Sequence, residues 1–150
     1  MNPDNMIKPQ TIDKLKTRAE AIAKAPEGAD IAPLRKDFLT ALRSVPEDYY
    51  LDTLFSLQMK GRTVLYSEPT FDGSRELAWT ASTFGRNGNE TRTTEKPVSR
   101  AFWEEAARNI VASVELRQIE SQRALWARAK ALANEAAVRS AEYMKLEDQL

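Results

Sequence analysis

From Val98 to Leu150 the chain contains neither glycine nor proline. The two residues that most often end a helix are thus missing from its whole C-terminal stretch. Ser99 stands where an N-cap belongs, Val98 can staple against Trp103, and Glu104 and Glu105 sit where the helix dipole favours acids. A seam follows through Trp103, Ala107, Ile110, Val114, Gln118, Ser121, Leu125, Ala129, Leu132, Ala136, Ser140 and Tyr143. Its steps are threes and fours, as in a coiled coil. Leu116, Ile119 and Trp126 add a second, partial stripe. About 45 residues of unbroken helix span roughly 70 Å, whereas a compact chain of this size has a radius of gyration of about 15 Å. Such a helix either projects and pairs with a partner, a homodimer included, or breaks near Gln118–Arg123, where the seam turns polar. The absence of turn residues favours one long helix over 98–148.

Ahead of it, Ile12, Leu15, Ala19, Ile22 and Ala23 recur at helical spacing, and Pro26 and Gly28 close that segment. A second helix follows Asp30, with Ile31, Leu34, Phe38, Ala41 and Leu42 on its apolar face. The run Ser44–Glu47 has the pattern of a capping box. It predicts a third helix carrying Tyr50, Leu51, Leu54, Phe55 and Leu57, stopped by Gly61.

Between these parts lie two turn dipeptides, Asp72-Gly73 and Asn87-Gly88, both favoured in two-residue hairpin loops. A loop at 72–73 pairs Tyr66 with Trp79; a loop at 87–88 pairs Thr83 with Arg92 and Ala81 with Thr94. Side chains alternate along a strand. One face then holds Val64, Tyr66, Leu77, Trp79 and Ala81. The other holds Thr63, Ser67, Thr80, Ser82, Thr91 and Thr93, with Leu65 and Phe84 as apolar exceptions. The stretch Phe84–Lys96 is therefore a hairpin rather than a phosphate cradle, which needs a helix directly after its glycines. The expectation is an α+β, mostly helical single domain. It has a helical part over 1–61, a three-stranded antiparallel meander over 62–96 and the long helix.

Composition narrows the chemistry. The 150 residues include no histidine and no cysteine. Ser-His-Asp triads, Cys-His dyads and HExxH zinc sites are thereby excluded, and thiolate or imidazole metal sites with them. Lys and Arg total 22, matching 22 Asp and Glu. That balance speaks against a general polyanion binder. The polar start of the chain and the lack of a long apolar run point to a cytoplasmic protein without a membrane span.

Two chemical readings need weighing. Asp48 and Asp52, four apart on the expected third helix, could form a carboxylate pair, but a solvated helix start explains them as well. Helices two and three could form a helix-turn-helix, but its reading helix would begin with Glu47, Asp48 and Asp52. The reading that remains is a non-catalytic protein that binds another protein, as an adaptor, inhibitor or assembly chaperone, without a metal or cofactor. Its candidate partner-binding residues are Leu65, Phe84, Arg86, Thr91, Arg92, Thr93 and Trp126. The third strand, Asn89–Glu95, would be an open edge. The alternative is a nucleic-acid-associated regulator using Arg86, Arg92 and Arg100 near the hairpin.

Overall fold

Two helices, a four-stranded antiparallel sheet and a third, very long helix follow one another along the chain. The computed structural model describes residues 6–73 and 75–149. Met1–Asn5, part of the polar start on which the cytoplasmic expectation rests, lies outside them.

Helix α1 (Pro9–Lys24) buries Leu15 and Ile22; helix α2 (Ala32–Leu42) buries Phe38, Leu39, Ala41 and Leu42. Both lie where the apolar spacing predicts. The Asp30 carboxylate, just ahead of the N-cap Ile31, accepts the Ala32 N–H at 3.0 Å and so satisfies one donor of the first turn of α2.

The third N-terminal helix does not exist. Ser44 still belongs to the winding-down of α2, its N–H bonded to the Ala41 carbonyl, and a short 3-10 turn at Glu47–Tyr49 follows. The chain then enters strand β1 (Leu54–Met59), which pairs with β2 (Arg62–Phe71). Met59 pairs directly with Arg62, so Lys60-Gly61 is a two-residue loop. Both loop residues have positive φ, 52° and 77°, as a type I′ turn requires. Gly61 does sit at an end, but of a strand. The sheet therefore has four strands, in the order β1-β2-β3-β4, with β3 at Leu77–Phe84 and β4 at Glu90–Glu95.

The register differs from expectation at both later turns. Tyr66 pairs with Ala81 rather than Trp79, because the connection runs from Asp72 to Glu76 and an irregularity lies between Ser67 and Thr70, where Glu68 has φ of 53°. The displacement is even, so Val64, Tyr66, Leu77, Trp79 and Ala81 remain together on the buried face. At the second turn Thr83 pairs with Thr91, and Gly85 donates to the Asn89 carbonyl at 2.9 Å. The loop is Arg86–Gly88, three residues, with only Gly88 at positive φ (80°). That displacement is odd, and β4 is turned over. Thr91, Thr93 and Glu95 lie on the inner side, opposite Thr83, Ala81 and Trp79. The Tyr66 hydroxyl accordingly reaches Glu95 at 3.5 Å.

Helix α3 (Arg100–Asp148) closes the core. Ser99 Oγ accepts the Phe102 N–H at 3.2 Å, which makes Ser99 the N-cap. Val98 is exposed and staples nothing; the Trp103 indole is held instead by its N–H to the Pro97 carbonyl at 2.7 Å. The Phe102 ring lies 4.8 Å from Tyr66, 5.5 Å from Trp79, 5.6 Å from Phe55 and 5.5 Å from Trp103. It thus joins the sheet to the helices. The Arg100 guanidinium binds the Ala23 and Ala25 carbonyls at the end of α1. Near Gln118, the Ile7 backbone N–H donates to the Gln118 side-chain carbonyl and the Ile7 carbonyl accepts from its amide. Helix α1 is thereby fixed antiparallel to the first half of α3.

Three outcomes check this fold. Phe102→Ala removes the ring shared by four aromatic neighbours and should cost about 3–5 kcal/mol in denaturant unfolding. Lys60→Asn should raise the thermal midpoint, because Asn tolerates the positive φ of this loop better than Lys; a lower midpoint would instead fit a helix through residue 60. Tyr50 is buried, and burial, with the Glu47 charge second, pushes its hydroxyl up to about 12. An unfolded tyrosine ionises near ~10. The unfolded chain thus loses its proton first, and stability should fall as pH rises from about 10 to about 12. Tyr50→Phe should flatten that limb in pH-dependent unfolding curves.

Candidate protein-interaction site

Alternation along the four strands puts Leu54, Ser56, Leu65, Ser67, Thr80, Ser82, Phe84, Arg92 and Thr94 on one face of the sheet, opposite the core. Leu54 is 58% exposed and Phe84 is 60% exposed. Leu65 is half-buried between Ser56 and Ser82. A shallow groove is lined by Ser56, Arg62, Leu65, Phe84 and Arg86. Arg92 bonds Glu90 through its Nε at 2.8 Å. This pairing holds the Glu90 carboxyl below its usual range, and Ser82 adds a further hydrogen bond.

Of the sequence-derived candidates, the structure brings Leu65, Phe84, Arg86 and Arg92 to the outer face or its hairpin tip. Thr91 and Thr93 belong to the opposite side, for the register reason given above. Trp126 stands elsewhere, on α3, and is 80% exposed. Leu54 and Ser56 were missed because β1 has the spacing of a helix in part. Its alternation of Phe55, Leu57 and Met59 with Leu54, Ser56 and Gln58 is the signal that reveals it. β4 is an edge strand, as expected of the last strand, and every residue in it is exposed.

The second surface is the far half of α3. The first six seam residues, Trp103 to Ser121, are all buried. Every residue from Gln122 to Gln149 is exposed, yet the helix continues without interruption to Asp148. The seam turns polar at Gln118 because there it meets backbone and a hydroxyl rather than side-chain carbon: Tyr49 donates its O–H to Gln118 at 3.3 Å, beside the Ile7 pair. Beyond that point Leu125, Leu132 and Tyr143 continue the same line, with Trp126 and Met144 on one flank. At ~1.5 Å per residue this arm is about 40 Å long.

The structure also bears on the rival chemistry. With no third N-terminal helix at residues 47–57 there is no helix-turn-helix from α2 onward and no helical spacing between Asp48 and Asp52; Asp52 pairs with Arg117. Of the three arginines proposed for nucleic acid, Arg92 is paired with Glu90 and Arg100 is engaged by α1 and Glu104. On α3, Arg108 pairs with Glu105, Arg117 with Glu120 and Arg139 with Glu135. Among the described residues no helix is long and apolar enough to cross a membrane, and no group of three or more carboxylates gathers in metal-binding fashion. Comparison with protein-family models, with curated proteins and with solved structures finds no match to this chain.

Proposed function

We propose that this chain is a non-catalytic accessory protein that works by binding another protein. The observation that carries this reading is the arm over residues 122–148, where an apolar seam continues on a helix that none of the described residues covers. Most helical stability in proteins comes from packing of an apolar face. A stripe holding Leu125, Leu132 and Tyr143 beside an exposed Trp126 is of the kind that marks an interaction surface. The outer sheet face offers a second surface, with Leu54, Leu65 and Phe84 among serines and threonines and arginines at its rim.

The test uses the full chain as bait in three forms: unaltered, with the arm pair Leu125→Glu and Leu132→Glu, and with the sheet pair Leu54→Ser and Phe84→Ser. All three should keep the same near-ultraviolet circular dichroism, since these residues lie outside the core. A polypeptide retained by the unaltered chain and lost from one variant supports the reading. Retention unaffected by both pairs, or tight DNA binding that falls steeply with salt, would refute it.

A further inference from the structure

The arm has a charge asymmetry that its seam does not. Residues 122–134 contain Arg123, Arg128 and Lys130 and no acid. Residues 135–149 contain Glu135, Glu142, Glu147 and Asp148 against Arg139 and Lys145. One half is basic and the other net acidic. A parallel pair of such arms sets like charge against like along its whole length, whereas an antiparallel pair sets opposite charge against opposite.

The seam has the matching symmetry. Counted from Asn134, Leu125 and Tyr143 lie equally far on either side, and so do Leu132 and Ala136; Ala129 and Ser140 are displaced from such a match by one residue. Turned end for end, the arm presents Tyr143 to Leu125, Ala136 to Leu132 and Ser140 to Ala129. Large side chains meet small ones at the centre, and small meets small at the next layer, which lets the two backbones approach closely. Trp126 and Met144 lie on the same flank, because eighteen residues make five turns at ~3.6 per turn. In an antiparallel pair equal flanks meet, so each Trp126 comes within about 3 Å along the axis of the other copy's Met144, in reach of a favourable sulfur–aromatic contact. On the opposite flank Arg128 comes level with Ser140 of the second copy, about 3 Å along the axis from its Glu142. Glu135, near the axis, already has its charge balanced by Arg139 of its own chain.

The helix geometry suits such a pair. Trp103, Val114, Leu125 and Ala136 recur at the 11-residue repeat, about 3.67 residues per turn. That value is close to the ~3.6 of a straight helix, so the seam holds one line along the arm. Four aromatic rings, Trp126 and Tyr143 from each copy, bury ~150–250 Å² apiece. With the leucine and methionine contacts added, the interface reaches the ~1,200–2,000 Å² of a stable specific complex. The same register sets Leu146 beside Gln122 of the second copy, at the level where α3 leaves the body, so the bodies stand at opposite ends of the pair.

We infer that the arm pairs antiparallel with the arm of a second copy of this chain, centred near Asn134. This inference rests on the protein-binding reading for the arm and names its partner; the sheet face stays open for a different protein. Because the chain has no cysteine, single-cysteine variants give an unambiguous test. Ala129→Cys and Ser140→Cys exchange small seam residues for another small one. The full-length variants, one enlarged by a tag, are oxidised mildly, alone and as a refolded mixture. Light scattering on the unaltered chain should give twice 16.9 kDa, and the mixture should form the mixed disulfide. Each variant alone should not cross-link, since identical positions lie about 16 Å apart along the axis and a disulfide spans at most ~7 Å between Cα atoms. Self-cross-linking of each single variant would show a parallel pair and overturn the inference. So would a dimer without the mixed disulfide, or a monomer at every concentration. Loss of a foreign protein from the sheet-face variant, with the arm monomeric, would leave the protein-binding reading standing without this one.

Discussion

The Phe102 ring is the point on which the two halves of this structure meet. It is fully buried, and its neighbours come from β1, β2, β3 and α3 itself. On either side of it, Arg100 closes the end of α1 and Trp103 packs at 6.3 Å from Phe38 of α2. The first turn of α3 therefore touches every other layer of the fold. Ser99 fixes where that turn begins, and through it the phase of all that follows along the helix. Were the helix to start one residue later, Phe102 would rotate by about 100° away from the sheet.

Much of this was legible in the sequence, and the failures have one cause. Periodicity of 3.6 found α1, α2 and α3, and the capping serine found the start of α3, because those signals are local. The inner face of the sheet was also found, although the turn that led to it was misjudged. An even displacement keeps every side chain on its face, so Val64, Tyr66 and Trp79 survived the error; an odd one at the next turn reversed Thr91 and Thr93. Gly61 misled for a related reason. A glycine at positive φ ends a helix and turns a hairpin equally well, and Leu51, Leu54, Phe55 and Leu57 fit a helix as readily as part of a strand. What local pattern does not contain is the choice between two structures that share the same residue at the same dihedral angle.

The two candidate surfaces differ in how the sequence encodes them. The outer sheet face is a by-product of alternation, and its apolar members are few and separated by serine and threonine. The arm is a sustained pattern, in which seam and flank recur over residues 122–148 while the charge changes sign near its middle. The seam of α3 meets two different fates. As far as Ser121 it is covered by the body; from Leu125 on it faces outward. The buried polar pair Gln118 and Ser121 marks the boundary.

No glycine, proline or irregular turn interrupts α3 between the Phe102 core and the end of the arm. Core and arm are parts of one continuous helix, without the glycine or proline that marks a sharp kink. Whatever docks on the arm is held at a fixed angle and distance from the outer face with Leu54 and Phe84. Force applied to the arm's tip acts as on a lever whose short end is the aromatic cluster. Bending it means breaking the helix or prising Phe102 out of the sheet.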